Sequence, residues 1–177
     1  IYIDPPFDSK ADYRTKISLP GFNVEQKPTV VEQFAYADTW SEGTMSYLRM
    51  MYVRLALMKE LLNDKGSIYI HIDWHVGHYV KILLDELFGK NNFVNEVIWS
   101  YKTGGVSKNF FAKKHDNIFF YSKTDNFTFN TQYYKSYQQK KYNYNPNYPE
   151  LWDEEKQQWY HNSICRDVWE DINLSSG

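Results

Sequence analysis

Between residues 44 and 89 the apolar side chains change their spacing twice, and this change narrows the possible folds more than any other feature of the chain. Met45, Leu48, Tyr52, Leu55, Met58 and Leu62 recur at helical intervals, Thr39 and Glu42 ahead of them have capping-box spacing, and Gly66 behind them suits a C-terminal cap. The pattern predicts a helix over roughly 41 to 64. SIYIHID (67 to 73) then reads as an apolar strand, and Asp73 is placed to cap a second helix whose Val76, Val80, Leu83, Leu84 and Leu87 share a face until Gly89. With Ile1, Tyr2 and Ile3 as a short first strand and NEVIWSY (95 to 101) and NIFFYSK (117 to 123) as two more, the order is that of a mainly parallel α/β sheet.

The rest of the chain is less regular. Asp8 to Thr39 mixes Pro20, Gly21 and Pro28 with polar residues and reads as a long loop. Beyond Asp125 the apolar rhythm fades into a stretch dense in Tyr, Asn, Gln and Lys, so a boundary is expected near 124, dividing the chain into 1–123 and 124–177. At 177 residues it is long enough for one ordinary domain, or one with a small appendage. Net charge is −2, but from Lys102 to Asn147 eight lysines face two acids, whereas from Tyr148 onward seven acids face two bases. One cysteine, Cys165, excludes an internal disulfide and fits a reducing compartment, and no signal peptide or membrane-length apolar run is present. These features point to a cytoplasmic protein without a membrane anchor. The chain starts with Ile rather than Met and inside a strand, which suggests a piece of a longer protein.

The densest chemistry stands at the start, in IYIDPPFD. Asp4 precedes a proline and is driven to extended angles, while Pro5 and Pro6 have no N–H and a nearly fixed φ. The result is a stiff strand end, and ligands of α/β sheets collect at the carboxyl ends of strands. A carboxylate beside a rigid carbonyl offers two acceptors for the two hydrogens of an exocyclic amine, and a neighbouring ring offers a stacking surface. Those are the requirements for holding a nucleobase swung out of a duplex. Ordinary Asp-Pro turn chemistry is the bland alternative.

IDPPF resembles motif IV of the amino-methylating DNA methyltransferases, Asp/Asn/Ser-Pro-Pro-Tyr/Phe/Trp. The similarity runs on through TMSYLRMMYVRLALMKELLNDKGSIYIHIDWHVGHYVKILLDELFG, NEVIWSY and KHDNIFFYSK, in the order seen in type III restriction-modification methylation subunits and related β-class enzymes, with a weaker match in DVWEDI. The resemblance implies a Rossmann-like S-adenosylmethionine-dependent methyltransferase sheet with helices on both faces, incomplete in this chain, followed by part of a target-recognition region. It implies catalytic roles for Asp4, Pro5, Pro6 and Phe7, with Asp4 and the Pro5 carbonyl accepting from the target amine and Phe7 stacking on the base. It implies methyl-donor contacts at Ile3, Asp4 and Pro5, double-stranded DNA as partner, a restriction subunit as a further partner, and a homodimer in the full-length protein. Asp rather than Ser at the first motif position leans towards adenine N6 over cytosine N4. Cytosine C5 chemistry is rejected, because Cys165 in SICRD has no preceding proline. The family's F-x-G-x-G motif is absent, so this chain by itself is expected to be inactive.

Two other clusters compete for a function. His71, Asp73, His75 and His78 have side chains of the kind that bind zinc or iron, and a metal-dependent hydrolase would rest on them. Polar residues at a strand end and helix cap explain them as well, and no metal is expected. Lys102, Lys108, Lys113, Lys114, Lys135, Lys140 and Lys141, interleaved with Tyr, Asn and Gln, suit phosphate and base contacts. A noncatalytic DNA-binding module would need that stretch alone, and a solvated polar surface is its bland counterpart.

Overall fold

The computed structural model describes residues 1–7, 43–102, 106–141 and 149–170 in full, and 15–19 and 22–26 as backbone. Among these, the chain divides into two compact units, Ile1–Thr128 with the segment from Val168, and Phe129–Asp167.

The first unit is built on five strands: β1 (Tyr2–Ile3), β4 (Ser67–Ile72), β5 (Phe93–Ser100), β6 (His115–Ser122) and β10 (Val168–Trp169), in the spatial order β1-β4-β6-β5-β10. β1 runs parallel to β4 and β10 parallel to β5, but β6 is antiparallel to both of its neighbours. The sheet is therefore mixed rather than mainly parallel. The physical reason lies in the link from β5 to β6: it carries no described helix, and a strand can return antiparallel without the helical crossover that parallel neighbours need. A separate hairpin of β2 (Thr15–Leu19) and β3 (Phe22–Gln26) occupies part of the stretch expected to be loop.

Helix α1 (Thr44–Leu61) and helix α2 (Gly77–Phe88) flank β4 in sequence. Strand alternation sends Ile68, Ile70 and Ile72 to one face, joined by Phe119 and Tyr121 of β6. Onto that face pack Tyr47, Met51 and Leu55 of α1 and Val80, Leu84 and Phe88 of α2, all buried in one cluster. Both described helices thus cover the same face, where helices on both faces were expected.

Element ends also depart from expectation. α1 begins after Gly43 and ends at Leu62, whose amide reaches back to the carbonyls of Met58 and Lys59. The proposed Thr39/Glu42 box lies outside the described residues. Gly66 is the tight turn into β4 rather than the cap: a Cβ there would stand 2.9 Å from Leu62 Cδ2 and 3.0 Å from the Asn63 oxygen. Gly89 does end α2, at φ 90°, a left-handed conformation that favours glycine.

The second unit is an antiparallel sheet in the order β7-β9-β8, from β7 (Tyr133–Gln138), β8 (Leu151–Asp153) and β9 (Gln158–Ile164). Tyr137 and Tyr160 stand opposite each other on it, as do Trp152 and Trp159. Lys135 lies over the Tyr160 ring and donates to Asp153 at 2.9 Å, and Lys156 lies over Tyr137. No described helix is long and apolar enough to cross a membrane.

Candidate active site

Because β1 and β4 are parallel, with Ile3 opposite Ile70, their carboxyl ends lie at the same edge of the sheet. Ile3 packs on the hydrophobic core and fixes the strand, and Asp4-Pro5-Pro6-Phe7 leaves from its end. The Asp4 side chain is 55% exposed, so its carboxylate is open to a ligand. Phe7 is half-buried between the core and the ring of His71, which it meets edge-on at 5.6 Å.

His71 is the hinge of this edge. It projects from the sheet face opposite the helices and is buried there. Its Nδ1 lies 3.1 Å from the Tyr2 hydroxyl and 3.6 Å from Asp4 Oδ1, and its Nε2 lies 3.3 Å from Asp116 Oδ2. Trp99 of β5 packs on the imidazole at a centroid distance of 5.1 Å, and the Tyr101 hydroxyl donates to Asp116 Oδ1 at 3.4 Å. Burial, and then the nearby Asp4 charge, raise the Tyr2 hydroxyl above its ordinary value; burial, and then Asp116, do the same for Tyr101. Both phenols therefore stay protonated and serve as donors at neutral pH.

Asp73 and His75 form a second pair just beyond β4. The Asp73 carboxylate takes the His75 amide at 2.9 Å and stands 2.5 Å from His75 Nδ1, while the Asp73 carbonyl accepts from Gly77. Asp73 thus shapes the turn ahead of α2 but does not cap the helix as expected: the N-cap position is Val76, which carries no side-chain capping bond, and the Asp73 carboxylate is taken up by His75. Trp74 stacks on His75 with centroids 3.7 Å apart, and Lys113 Nζ lies 3.1 Å above the Trp74 ring. The metal reading fails on this geometry: His71 belongs to Asp116 and Tyr2, His75 belongs to Asp73, His78 is exposed, and no group of three such side chains among the described residues converges on a metal position.

The seven lysines are divided between the two units. Lys102, Lys108 and Lys113 are exposed on the first, with Lys114 half-buried, and Lys135, Lys140 and Lys141 are exposed on the second. Lys141 lies over Trp159 and Lys135 is paired with Asp153, so part of this charge already serves the second sheet. Tyr2, Trp99, Tyr101 and Asp116 carry no role in the sequence reading, although each lies in a block that was singled out. The missing signal is the strand register that sets Asp116 opposite Trp99 and Ile118 opposite His71.

The DNA methylase family profile matches residues 1–176. Type II methyltransferase M.EcaI of Enterobacter cloacae is 33% identical over 131 residues, which is 73% of this chain and 25% of that protein. The Mod subunit of the type III restriction-modification enzyme EcoP15I of Escherichia coli is 28% identical over 134 residues, 70% of this chain and 20% of the subunit. Type II methyltransferase M.KpnI of Klebsiella pneumoniae is 33% identical over 125 residues, 70% of this chain and 27% of that protein. The chain belongs to the DNA methylase family. It spans about a quarter of the length of M.EcaI and a fifth of the EcoP15I Mod subunit.

Proposed function

We propose that the chain is the catalytic part of a β-class DNA methyltransferase that methylates adenine N6 in duplex DNA, with S-adenosylmethionine as methyl donor. The observation that carries this reading is the placement of Asp4-Pro5-Pro6-Phe7 at the carboxyl end of β1, beside a parallel β4, with the Asp4 carboxylate exposed. An exocyclic amine is a poor nucleophile, because its lone pair is delocalised into the ring. Asp4 and the Pro5 carbonyl accept from its two N–H groups and favour a more tetrahedral nitrogen, which is stabilisation specific to the transition state. Phe7 provides the stacking surface, and Pro6 keeps the segment stiff.

The donor set also suits the methyl donor. An exposed carboxylate at a strand end complements a cationic, hydroxyl-bearing ligand, and Ile3, Asp4 and Pro5 would hold it. S-adenosylmethionine supplies an electrophilic methyl group there. The five-stranded sheet is read as part of a Rossmann-like methyltransferase sheet, and the region from 124 as the start of target recognition. Lys102, Lys108, Lys113, Lys114, Lys135, Lys140 and Lys141 contact DNA phosphates in this reading. Type III Mod subunits among the relatives support a restriction subunit as a partner of the whole protein, and a homodimer stands as a further expectation.

The test is product analysis. Duplex DNA incubated with the natural full-length protein and labelled S-adenosylmethionine, then digested to nucleosides, is expected to yield N6-methyladenine. Label in N4-methylcytosine would overturn the base assignment, and no label in DNA would overturn the activity.

A further inference from the structure

Behind Asp4, on the side away from solvent, stands a buried histidine flanked by a second carboxylate. Asp116 Oδ2, His71 Nδ1 and Nε2, and Asp4 Oδ1 form a line with steps of 3.3 and 3.6 Å, closed at one end by Tyr101 and beside its centre by Tyr2. The reaction proposed above leaves this line unused, yet its outer end is the proposed amine acceptor. Burying His71 and most of Asp116 beside Trp99 costs stability, and a hydrophobic pair would fill the same place more cheaply.

We propose that His71, oriented by Asp116, is a positioning residue for Asp4 and the final acceptor of the proton that the target amine gives up. The inference rests on the methyltransferase reading. When the amine nitrogen forms its bond to the methyl carbon, the donor's carbon–sulfur bond breaks with the electron pair on sulfur, and the nitrogen must lose one proton. That N–H bond breaks towards the Asp4 carboxylate; when the Tyr2 hydroxyl turns away from Nδ1 and Asp4 closes the 3.6 Å gap, the proton passes on to the freed Nδ1 lone pair of His71, whose Nε2–H remains on Asp116. The protonated ring then stands between the Asp4 and Asp116 carboxylates, and the proton leaves to solvent before the next turnover. In the resting state the Tyr2 hydroxyl donates to Nδ1 and holds the tautomer. The titratable groups that face His71 are Tyr2 and Asp4 from the β1 side and Asp116 from β6, with Tyr101 acting through Asp116; Trp99 and Phe7 are the other packing neighbours.

The experiment measures kcat and the KM for DNA against pH in the natural full-length protein, for the wild type and for Asp4→Ala, His71→Gln and Asp116→Asn. Gln keeps a donor for Asp116 but cannot take a proton. His71→Gln is expected to lower kcat about 10²-fold, the usual worth of one proton-transfer group, with KM for DNA unchanged and the acid limb of the kcat profile abolished. Asp116→Asn should keep that limb but move it to lower pH, since the anion favouring imidazolium is gone. Should His71→Gln fail to fold, the limb shift in Asp116→Asn decides alone. An acid limb unchanged in both variants, or a His71→Gln kcat close to wild type, would overturn the role of His71 provided that Asp4→Ala is inactive. Activity in Asp4→Ala would overturn both, because the reading beneath it would have failed first.

Discussion

Asp85 accepts from Lys81 Nζ at 2.8 Å and from the Tyr121 hydroxyl at 2.7 Å, which ties α2 to the strand beneath it. Burial alone would raise its carboxyl, but the bonds from Lys81 and Tyr121 outweigh it and leave Asp85 below its ordinary value. A carboxyl lowered by folding stabilises the fold at any pH above its unfolded value, and that contribution disappears as pH falls through the folded one. Asp85→Asn should therefore destabilise the protein near neutral pH, and the gap in denaturant midpoint between variant and wild type should shrink as pH drops from about 6 towards about 3. A gap independent of pH would contradict this. Burial first, then Asp85, raise the Tyr121 hydroxyl, so it remains a donor throughout that range. At this scale the sequence was informative about chemistry but not about partners. Asp4, Pro5 and Phe7 declare themselves by being adjacent, whereas His71 takes its meaning from Asp116, a residue 45 positions away.

At the scale of elements, the helix spacing led to the right helix and to most of its buried side, since Leu55 and Leu62 are buried and Leu48 and Met58 pack on the core, but it missed Tyr47 and Met51 and included two exposed residues. Met45 and Tyr52 were read with Leu55, yet Met45 is 60% exposed while Tyr47, Met51 and Leu55 are buried. Val53, Leu57 and Leu61 are exposed as well, so apolar residues surround α1 and no single stripe stands out. Leu55→Ala is accordingly expected to cost about 2–5 kcal/mol, and Met45→Ala to stay within about 0.5 kcal/mol, measured by denaturant unfolding. Equal losses would show that the face is wrong. The second sheet was illegible for a different reason. Its pairs are Tyr137 with Tyr160 and Trp152 with Trp159, and Lys135 of β7 and Lys141 just beyond it lie over rings of β9, so the alternation of aliphatic and polar residues that reveals a strand is replaced by aromatic and cationic ones. The hairpin β2–β3 likewise lies in polar, proline-punctuated sequence.

On the scale of the whole molecule, the strands of the first sheet were readable one by one, but their order was not. β6 enters between β4 and β5, and β10 arrives from the far side of the second unit in sequence, so pairing depends on contacts that local periodicity does not encode. Charge distribution gives a further expectation at this scale. Lys108 and Lys140 are exposed, and if each meets a phosphate, replacing either with Ala in the natural full-length protein should reduce the slope of log K against log salt for duplex DNA by about one. An unchanged slope would remove that lysine from the interface. The central claim, that the strand end at Asp4 performs methyl transfer, is tested most directly by one comparison in that same protein: the methylation rate of duplex DNA by wild type and by Asp4→Ala, with DNA affinity measured alongside. The account predicts that transfer falls below a few per cent of the wild-type rate (~) while affinity, which comes mainly from phosphate contacts, is nearly unchanged. Transfer that survives the substitution would contradict it.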